Sequence, residues 1–424
     1  MRVWIITVGE PLPIDAGQER LLRSGILSTM LAERGHEVIW WTSTFDHIRK
    51  RHRFSQDTMR TSSNGIDLRL LHGFGYQENI SLRRIADHMQ VARHFAQFAP
   101  SAPQPDLILC SLPTLELAVA ATRYGNRSGV PVVIDVRDLW PDIVLELAPA
   151  WARPMWNGLL LPVWRQARVA CRTATAICAS SPRFVDWGLR HANRARTVLD
   201  RDFPFGYATF APEADKLTAA NDFWRSQGVA PDGNGFIACF FGTMGDQFDL
   251  ETVIEASRLL ENRGIPIQVV LCGAGPRLEL LKQQARGLAS VRFPGWVGAA
   301  EIWVLMRRAS VGLAPYLDNA GFADNYPNKT IEYLSAGLPV VSSLRGYFRE
   351  LLDQYGFGVS YTSGSPQELA DALAAIFSNP VLRAGMSRRA HAVFQEHFEA
   401  GKVYGAMIDY LIEVTKHYSA ALPS

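Results

Sequence analysis

Cysteine is scarce in this sequence. The chain of 424 residues has five cysteines and no Cys-x-x-Cys pair, and its histidines form no cluster at the spacing of metal ligands. These absences argue against a disulfide framework and against a zinc site, so we expect no metal. Cys110, Cys239 and Cys272 fall within apolar runs, where we expect reduced thiols to pack as small core side chains.

Neither sign of charge dominates the chain. Its 43 basic and 41 acidic residues give a formal net charge of +2, which provides no general attraction to nucleic acid. The basic run from His47 to Arg53 is typical of a solvated loop face. We therefore expect no nucleic-acid partner.

Long hydrophobic runs are also missing. No stretch approaches the ~20 apolar residues that span a bilayer, and the first residues, MRVWIITVGEPLP, lack the cleavage site of a signal peptide. We expect a cytoplasmic protein and leave open a peripheral contact with the cytoplasmic face of the inner membrane. The segment from Trp151 to Arg165 mixes three tryptophans with basic residues. It fits an amphipathic helix on a membrane and a core helix with an arginine-rich solvent face equally well.

Two catalytic motifs are absent as well. The sequence contains no Gly-x-Ser-x-Gly and no Walker lysine loop,. His36, His72 and His191 are isolated in sequence. The chain therefore offers no nucleophile–base pair.

What the chain does contain is a repeated alternation of short apolar runs and amphipathic helices. The first helix is predicted from Gln18 to Arg34, with Gly35 as its stop. The strands predicted in the first half are RVWIITV (2–8), HEVIWWTS (36–43), IDLRLL (66–71), DLILCSL (106–112), PVVIDV (131–136), AICAS (176–180) and ARTVL (195–199). Near-continuous apolar strands separated by helices predict a parallel sheet that is covered on both faces.

The alternation restarts after a passage rich in proline and glycine and a polar loop, at 202–235. The strands predicted in the second half are FIACFFG (236–242), PIQVVLCG (266–273), VRFPGW (291–296), VGLAPY (311–316), PVVSS (339–343) and GVSYT (358–362). The predicted fold class is α/β, with two doubly wound, Rossmann-like domains at 1–205 and 206–400 that face a central cleft. Ligands of such sheets bind outside the carboxyl ends of the strands, so the strand-to-helix turns are the candidate site.

Several of these turns carry glycine or charge. Gly17 precedes the first helix, where backbone N–H groups can approach an anion, although a plain turn glycine fits as well. Arg137 and Asp138 follow the strand PVVIDV and are either site residues or a salt-bridged loop. Three glycines end the first two strands of the second domain, Gly242, Gly245 and Gly273. They permit close approach to phosphate, but a tight turn alone also explains them.

The stretch DNYPNKTIEYLSAG (324–337) predicts a short helix before a buried strand. Asn325 or Tyr326 is the expected cap, Pro327 suits the first turn, and Gly337 is the expected end.

Polar groups are dense at the start of this helix. Glu332 can hydrogen-bond two vicinal hydroxyls, as ribose presents them, while Lys329 and the exposed amides can meet a diphosphate. Asp324 lies just outside the helix, within reach of a second polyol. The alternative is that the acids only complement the helix dipole, but the density of polar groups favours a site.

With these elements together, the sequence resembles the family-four retaining glycosyltransferases of the GT-B fold over most of its length. The resemblance rests on FIACFFG, QVVLCGAGP, VRFPGWV and an acidic residue eight positions before Glu332, followed by YLSAGLPVVSS. Asn-Tyr-Pro-Asn-Lys within that spacing, and Asp-Leu-Trp-Pro in the first half, are similar to a bacterial subgroup that transfers sugars or amino sugars in O-antigen and capsule assembly. The resemblance also implies a last helix, at 401–424, that crosses back onto the N-terminal domain.

The resemblance implies a nucleotide-sugar donor, UDP-linked, and a glycan or lipid-diphosphate-linked acceptor. Glu332 would hold the donor ribose, and Asp324 would contact the sugar hydroxyls. Gly17 would approach the phosphates or the acceptor from the first domain. The diphosphate would face the backbone amides of Asn328, Lys329 and Thr330. The nucleobase would lie near Trp296 and Val297.

Two departures from the family pattern concern charge. Many members carry arginine and lysine where this chain has Thr243 and Phe248, and a sugar-contacting histidine where it has Arg137. The positive charge for the diphosphate must then come from elsewhere, with Lys329, Arg137 and Arg345 as candidates.

The resemblance implies retention of the anomeric configuration, with no protein nucleophile, no metal and no other cofactor. Two alternatives remain open at this point. One is a nucleotide-sugar epimerase of the same architecture, and the other is a noncatalytic subunit that binds a nucleotide sugar.

Overall fold

The chain folds into two compact units. The structure is a computed structural model that describes residues 1–15, 21–78, 81–142, 153–209, 211–229, 235–318 and 326–421. One unit comprises Met1–Gly206 with Ala400–Ser424, and the other comprises Tyr207–Glu399. Gly17, Asp324, Asn325 and the start of the tryptophan-rich segment at Trp151 lie outside the described residues.

The first unit contains a large sheet and a small ribbon. Its strands are β1 (Arg2–Ile6), β2 (Glu37–Ser43), β3 (Phe45–Asp46), β4 (Arg51–His52), β5 (Thr58–Thr61), β6 (Asp67–Leu71), β7 (Leu107–Ser111), β8 (Val132–Val136), β9 (Ala176–Ala179) and β10 (Arg201–Asp202). The sheet order is β10-β9-β8-β7-β1-β2-β6-β5, and β3 pairs only with β4. Neighbours in the sheet run parallel except β5, which is antiparallel to β6.

Helices follow the strands of this unit. They are α1 (Arg23–Glu33), α2 (Leu82–Phe98), α3 (Leu115–Ser128), α4 (Arg153–Thr173) and α5 (Pro182–Ala192). Because β1, β7 and β8 are mostly apolar and covered on both faces, almost all of their side chains are buried,. The rings of Trp4 and Trp41 lie 5.2 Å apart, and Phe95 of α2 meets Trp41 edge-on at 5.1 Å.

The second unit contains a wholly parallel sheet. Its strands are β11 (Phe236–Phe241), β12 (Ile267–Cys272), β13 (Val291–Gly295), β14 (Val311–Ala314), β15 (Val340–Ser342) and β16 (Gly358–Ser360), in the order β13-β12-β11-β14-β15-β16. Its helices are α6 (Ala214–Ser226), α7 (Leu250–Asn262), α8 (Leu278–Gln284), α9 (Ala299–Arg308), α10 (Asn328–Ser335), α11 (Tyr347–Tyr355), α12 (Pro366–Ser378) and α13 (Pro380–His397). Two doubly wound α/β units are what the alternating pattern predicts.

The last helix, α14 (Ala400–Ala421), lies in the first unit although it follows the second in sequence. Met407, Ile408 and Leu411 are fully buried on one face. The hydroxyl of Tyr404 donates to the carbonyl of Gly206 and accepts from its amide, at 3.2 and 3.0 Å. No helix in the described part of the chain is long and apolar enough to cross a membrane.

One predicted strand is wrong. ARTVL (195–199) forms a turn because the carboxylate of Asp200 accepts hydrogen bonds from the amide and the hydroxyl of Thr197, both at 2.8 Å. Such local bonds compete with a sheet ladder, and pairing begins only at β10. The antiparallel edge strand β5 was not predicted because its residues, TMRT, are mostly exposed and carry no apolar pattern.

Candidate functional site

A cavity of about 350 Å³ opens at the carboxyl ends of β11, β12 and β13, beside α10. Seven of the residues singled out from the sequence line it: Gly242, Thr243, Gly273, Trp296, Val297, Lys329 and Glu332. The structure therefore brings together residues that are up to 90 positions apart in the chain. Gly245 is not among the lining residues; its carbonyl accepts from the Phe248 amide in the turn that follows β11.

The floor of the cavity is made of two closely packed turns. The backbone of Gly273 lies so near Gly242 that a Cβ at Gly273 would be 1.8 Å from the Gly242 carbonyl oxygen. A Cβ at Gly242 would be 2.9 Å from Nζ of Lys329. Both glycines also have a positive φ, at 156° and 143°. Only glycine fits at these two positions, and its absence of a side chain leaves backbone as the cavity surface.

Helix α10 begins one residue later than predicted. Pro327 is its N-cap, and no side chain caps the helix, so neither Pro327 in the first turn nor a Tyr326 cap is correct. The amide and the hydroxyl of Thr330 both donate to the Pro327 carbonyl, at 2.9 and 2.7 Å. Both donors of Thr330 are thus engaged within the helix, and its contact with a phosphate stays a prediction. Within the described residues, the amides of Asn328 and Lys329 have no such partner, as expected of a helix N-terminus,.

Among the described residues that line the cavity, Lys329 is the only lysine or arginine. It is 8% exposed, and its Nζ is buried without a hydrogen-bond partner in the part of the chain that the structure describes. The amine lies between two aromatic rings, 3.6 Å from the centroid of Phe240 and 3.9 Å from that of Phe248. Burial holds the pKa of Lys329 well below the ordinary lysine value, while Glu332 and then Cys239 act in the opposite direction.

Glu332 and Trp296 border the same cavity from two sides. Glu332 lies in the second turn of α10, three residues after Lys329. Trp296 follows β13 and is 77% exposed, whereas its neighbour Val297 is buried. An exposed aromatic surface beside a carboxylate and a helix N-terminus can contact a base, a ribose and a phosphate at once.

Arg137 follows β8 in the first unit and is fully engaged in an internal network. Its guanidinium donates to Asp135 at 2.6 Å, to Ser24 at 3.1 Å and to Glu10. Arg23 donates to the same Asp135 through two nitrogens, at 3.0 and 3.1 Å. Three hydrogen bonds thus hold Arg137 within the unit, and its role at a diphosphate stays a prediction.

The buried acids and bases of this network stabilise one another's charged forms. Burial alone would raise the pKa of Asp135, but the charges of Arg23 and Arg137 lower it to about 2. Burial would likewise lower the pKa of Arg137, and the charges of Asp135 and Glu10 raise it instead. Sequence reasoning missed Arg23 and Glu10; the signal was an acid inside an otherwise apolar strand, which requires buried basic partners.

The remaining predicted residues do not join the second-unit cavity. Asp138 lines a different cavity, in the first unit. Arg345 is exposed and pairs with Asp318 at 3.0 Å. Among the three cations considered for the diphosphate, Lys329 is therefore the one that faces the cavity.

Two family models match the chain. The model "Glycosyl transferase 4-like domain" matches residues 25–199, and "Glycosyl transferases group 1" matches residues 235–379. The two matches fall in the first and the second unit, respectively.

Curated relatives are similar over part of their length. A phosphatidyl-myo-inositol mannosyltransferase of Mycobacterium leprae is 36% identical over 118 residues, which are 28% of this chain and 30% of that protein. The putative colanic acid biosynthesis glycosyltransferase WcaL of Escherichia coli K12 is 31% identical over 130 residues, or 30% of this chain and 32% of WcaL. The chain thus spans about a third of the length of these relatives in each match.

Solved structures are similar over nearly the whole chain. Anabaena HepE in complex with UDP has a TM-score of 0.65 at 17% identity, covering 97% of this chain and 99% of HepE. Sucrose-phosphate synthase from Thermosynechococcus elongatus has a TM-score of 0.70 at 16% identity, covering 98% and 99%. This likeness confirms the predicted fold of two Rossmann-like domains. Since the two family models also match most of the sequence, the chain belongs to the family-four glycosyltransferases of the GT-B fold.

Proposed function

We propose that the chain transfers a sugar from a nucleotide-diphosphate sugar, UDP-linked, to a glycan or lipid-linked acceptor with retention of configuration. The observation that carries the proposal is the second-unit cavity, where Glu332, the unpartnered amine of Lys329 and the α10 N-terminus meet. The UDP bound to HepE, a protein of the same fold, supports this donor class.

Each part of the donor has a counterpart at the cavity. Glu332 accepts hydrogen bonds from the two ribose hydroxyls, and the exposed ring of Trp296 with the backbone of Val297 borders the base. The free amides of Asn328 and Lys329 donate to the diphosphate at the positive end of α10. Asp324, outside the described residues, keeps the role implied by the resemblance, at the hydroxyls of the transferred sugar.

Lys329 supplies the charge that Thr243 and Phe248 do not. The amine lies directly over the ring of Phe248, 3.9 Å from its centroid, so a cation reaches this space from α10 rather than from the turn after β11. Once a bound donor displaces water from the cavity, an ammonium group there stabilises the developing charge of the departing phosphate. This arrangement needs neither a metal nor another cofactor.

The transfer itself follows from that arrangement. The bond between the anomeric carbon and the phosphate oxygen breaks while the acceptor oxygen forms a bond to the same carbon on the same face. The acceptor hydroxyl proton passes to the departing phosphate oxygen, which leaves UDP. Catalysis then depends on positioning and on charge stabilisation, and no protein nucleophile takes part.

Acceptor-dependent turnover tests this proposal. Purified protein is incubated with radiolabelled UDP-glucose, UDP-galactose or UDP-N-acetylglucosamine, with and without a membrane glycolipid extract and in the presence or absence of EDTA. We expect UDP to be released only with acceptor, in either buffer, and proton NMR of the product to show the donor's anomeric configuration. Glu332→Ala should be inactive, and Glu396→Ala, at an exposed glutamate of α13, should match the wild type.

Two outcomes would overturn transfer. An epimerised donor without acceptor would identify an epimerase. UDP binding without turnover on any donor and acceptor pair would identify a nucleotide-sugar-binding subunit. The name of WcaL refers to colanic acid biosynthesis, so extracts that contain intermediates of surface polysaccharide assembly are the first acceptors to try.

A further inference from the structure

A small cavity lies in the first unit, beneath the edge of its sheet. It has a volume of about 140 Å³ and is bordered by β2, β5 and β6 and by the end of α2 with the turn that follows this helix. The cavity that Asp138 lines is bordered instead by the first turns of α2. None of the described lining residues is shared between the edge cavity and the other two. The edge cavity is therefore separate from the sites discussed so far.

The edge cavity exists because the outer strands project beyond the helix that covers the sheet. Trp41, Arg69 and Met59 are register neighbours on β2, β6 and β5, so their side chains share one face of the sheet. On that face, Trp41 meets the ring of Phe95 of α2. Further out, on the last strand of the sheet, Met59 is 62% exposed. The space between α2 and the uncovered strands is the cavity.

Two buried donors of the lining residues have no hydrogen-bond partner within the described chain. Trp41 is 1% exposed, and its indole Nε1 is buried and unpaired. Nε of Arg69 is likewise buried without a partner, although another nitrogen of the same guanidinium donates to Asp67 at 2.8 Å. Buried donors without partners are costly unless a ligand or water accepts from them. These two donors call for an acceptor in the cavity.

Asp57, which also lines the edge cavity, supplies an acceptor of its own. Its Oδ1 accepts from the His72 amide at 2.6 Å and lies 2.9 Å from Nδ1 of His94. Its other oxygen, Oδ2, accepts no hydrogen bond from the part of the chain that the structure describes. A ligand group that both accepts and donates therefore suits this cavity, and a hydroxyl group is such a group.

The size of the edge cavity limits the rest of the ligand. A closed apolar cavity of about 150 Å³ is enough to hold benzene, so the 140 Å³ here fits a single six-membered ring. The walls are mostly apolar, with side chains from Leu70, Leu71, Phe98 and Ala102. Such walls favour an aromatic ring over a polar one.

The charge of the edge cavity favours an uncharged ligand. Arg69 is the only lysine or arginine among the described lining residues, and Asp57 is the only acid among them. Arg69 is also paired with Asp67. Because the two lining charges are opposite in sign, neither an anion nor a cation is attracted overall. An aromatic ring with one neutral hydroxyl group, that is, a phenol, meets the requirements of size, polarity and charge together.

We propose that the edge cavity is a binding site for a small uncharged phenol. The hydroxyl oxygen accepts from Nε1 of Trp41 and Nε of Arg69, its proton is donated to Asp57, and the ring packs against Leu71 and Phe98. This site goes beyond the transfer reaction proposed above, and its test needs neither a donor nor an acceptor sugar.

Phenol itself is the probe, titrated into the full chain and followed by saturation-transfer NMR of the ligand. Benzene supplies the ring alone, anisole a ring with an oxygen that accepts but cannot donate, and benzoate a ring with a negative charge. We expect phenol to bind about tenfold or more tightly than each of the three, because only phenol satisfies both the donors and Asp57 without a net charge.

A pair of tryptophan variants locates the site. Trp41→Phe removes the indole N–H and keeps an aromatic ring, so phenol should bind about fivefold more weakly. Trp4→Phe is the matched control and should bind phenol as the wild type does. The Nε1 of Trp4 is also buried without a partner in the described chain, and its ring lies 5.2 Å from that of Trp41, but Trp4 does not line the cavity.

A third variant fills the cavity without removing a polar group. Ala102 is half-buried on the cavity wall, and Ala102→Leu should abolish phenol binding. The urea midpoint of each variant shows that the protein is folded. Because Ala102 is half-buried, this variant keeps the test valid should Trp41→Phe fail to fold.

Four results would overturn the assignment. They are no saturable binding of phenol by the wild type, equal or tighter binding of benzene, anisole or benzoate, an equal loss in Trp41→Phe and Trp4→Phe, and unchanged binding in Ala102→Leu. None of these results depends on UDP or on turnover, so a failure of the transfer reaction would leave the phenol site standing, and the reverse holds as well.

Discussion

Each unit has a buried basic side chain near the carboxyl ends of its strands, and the two side chains have different kinds of partner. In the first unit, the guanidinium of Arg137 meets Asp135, Glu10 and Ser24. In the second unit, the amine of Lys329 lies over two aromatic rings without a hydrogen-bond acceptor, next to an open cavity. The exposed fractions are similar, 10% for the Arg137 side chain and 8% for Lys329. Burial alone therefore does not separate them.

What separates the two cations is how far their hydrogen-bonding capacity is filled. A buried charge with all its partners present stabilises one arrangement of the chain, and removing a partner is strongly destabilising. A buried amine without hydrogen-bond partners adds a cost to folding, which contact with aromatic rings offsets in part and which a bound anion would offset further. We interpret the first arrangement as structural, and the second fits the ligand-binding role that we propose for Lys329.

The largest expected effect comes from breaking the paired network. Asp135→Ala leaves Arg23 and Arg137 buried without their shared carboxylate, so we expect the first unit to lose about 3–5 kcal/mol of unfolding free energy. Urea denaturation followed by tryptophan fluorescence measures the loss.

The control for this variant is an exposed ion pair. Arg263 and Asp371 are 2.7 Å apart at the surface of the second unit, and Asp371→Ala should leave the urea midpoint unchanged. Equal midpoints for Asp135→Ala and Asp371→Ala would show that the network around Arg137 is not structural.

The second-largest effect is expected at Glu332, the carboxylate of the second-unit cavity. Glu332→Ala removes the proposed acceptor of two ribose hydroxyls, each bond being worth roughly 1.5–3 kcal/mol when one partner is charged. We expect UDP to bind roughly 10–100-fold more weakly. Uridine should lose the same factor, because it carries the same ribose. A loss for UDP that uridine does not share would move Glu332 from the ribose to the phosphates.

The fold could be predicted from the sequence because the spacing of its apolar residues matches their burial in the structure. Apolar runs such as FIACFFG and PVVIDV become fully buried parallel strands, and the glycine turns after β11 and β12 line a cavity. The pairing of charges could not be predicted. Whether Arg137 or Lys329 meets an acid depends on residues more than 100 positions away, such as Glu10 and Arg23 for the first-unit network. The turn at Asp200 was missed because it is held by hydrogen bonds to a side chain, which leave no periodic pattern of apolar residues in the sequence.

A third test removes the amine of Lys329 from the second-unit cavity. Lys329→Met should weaken UDP binding on the order of tenfold and leave uridine binding unchanged, because the amine is proposed to act only on the diphosphate. Its stability should not fall, in contrast to Asp135→Ala, since no hydrogen bond of the amine is lost.

Phe248→Lys in the Lys329→Met background sharpens this test. The Phe248 ring lies 3.9 Å from the original amine, so a lysine there reaches the same space, and we expect part of the UDP affinity to return. Phe248→Met in that background is the matched control and should restore nothing. If both double variants behave alike, the cavity does not need a cation at this place.

The smallest expected effect is a dependence of stability on pH. Burial lowers the pKa of Lys329, so the folded chain binds fewer protons at this site than the unfolded chain does. The unfolding free energy contributed by Lys329 must then rise with pH between its lowered pKa and the ordinary lysine value of about 10.4.

Buried cysteines and tyrosines act in the opposite direction in this range, but they are common to the wild type and Lys329→Met. The difference between the two proteins therefore isolates the lysine, and without UDP it should increase as the pH rises towards the ordinary lysine value of about 10.4. Bound UDP supplies the missing anion and should flatten this slope. A flat difference in the absence of UDP would mean that the aromatic rings keep the amine charged, and the contrast with Arg137 would then be one of partner type rather than of partner number.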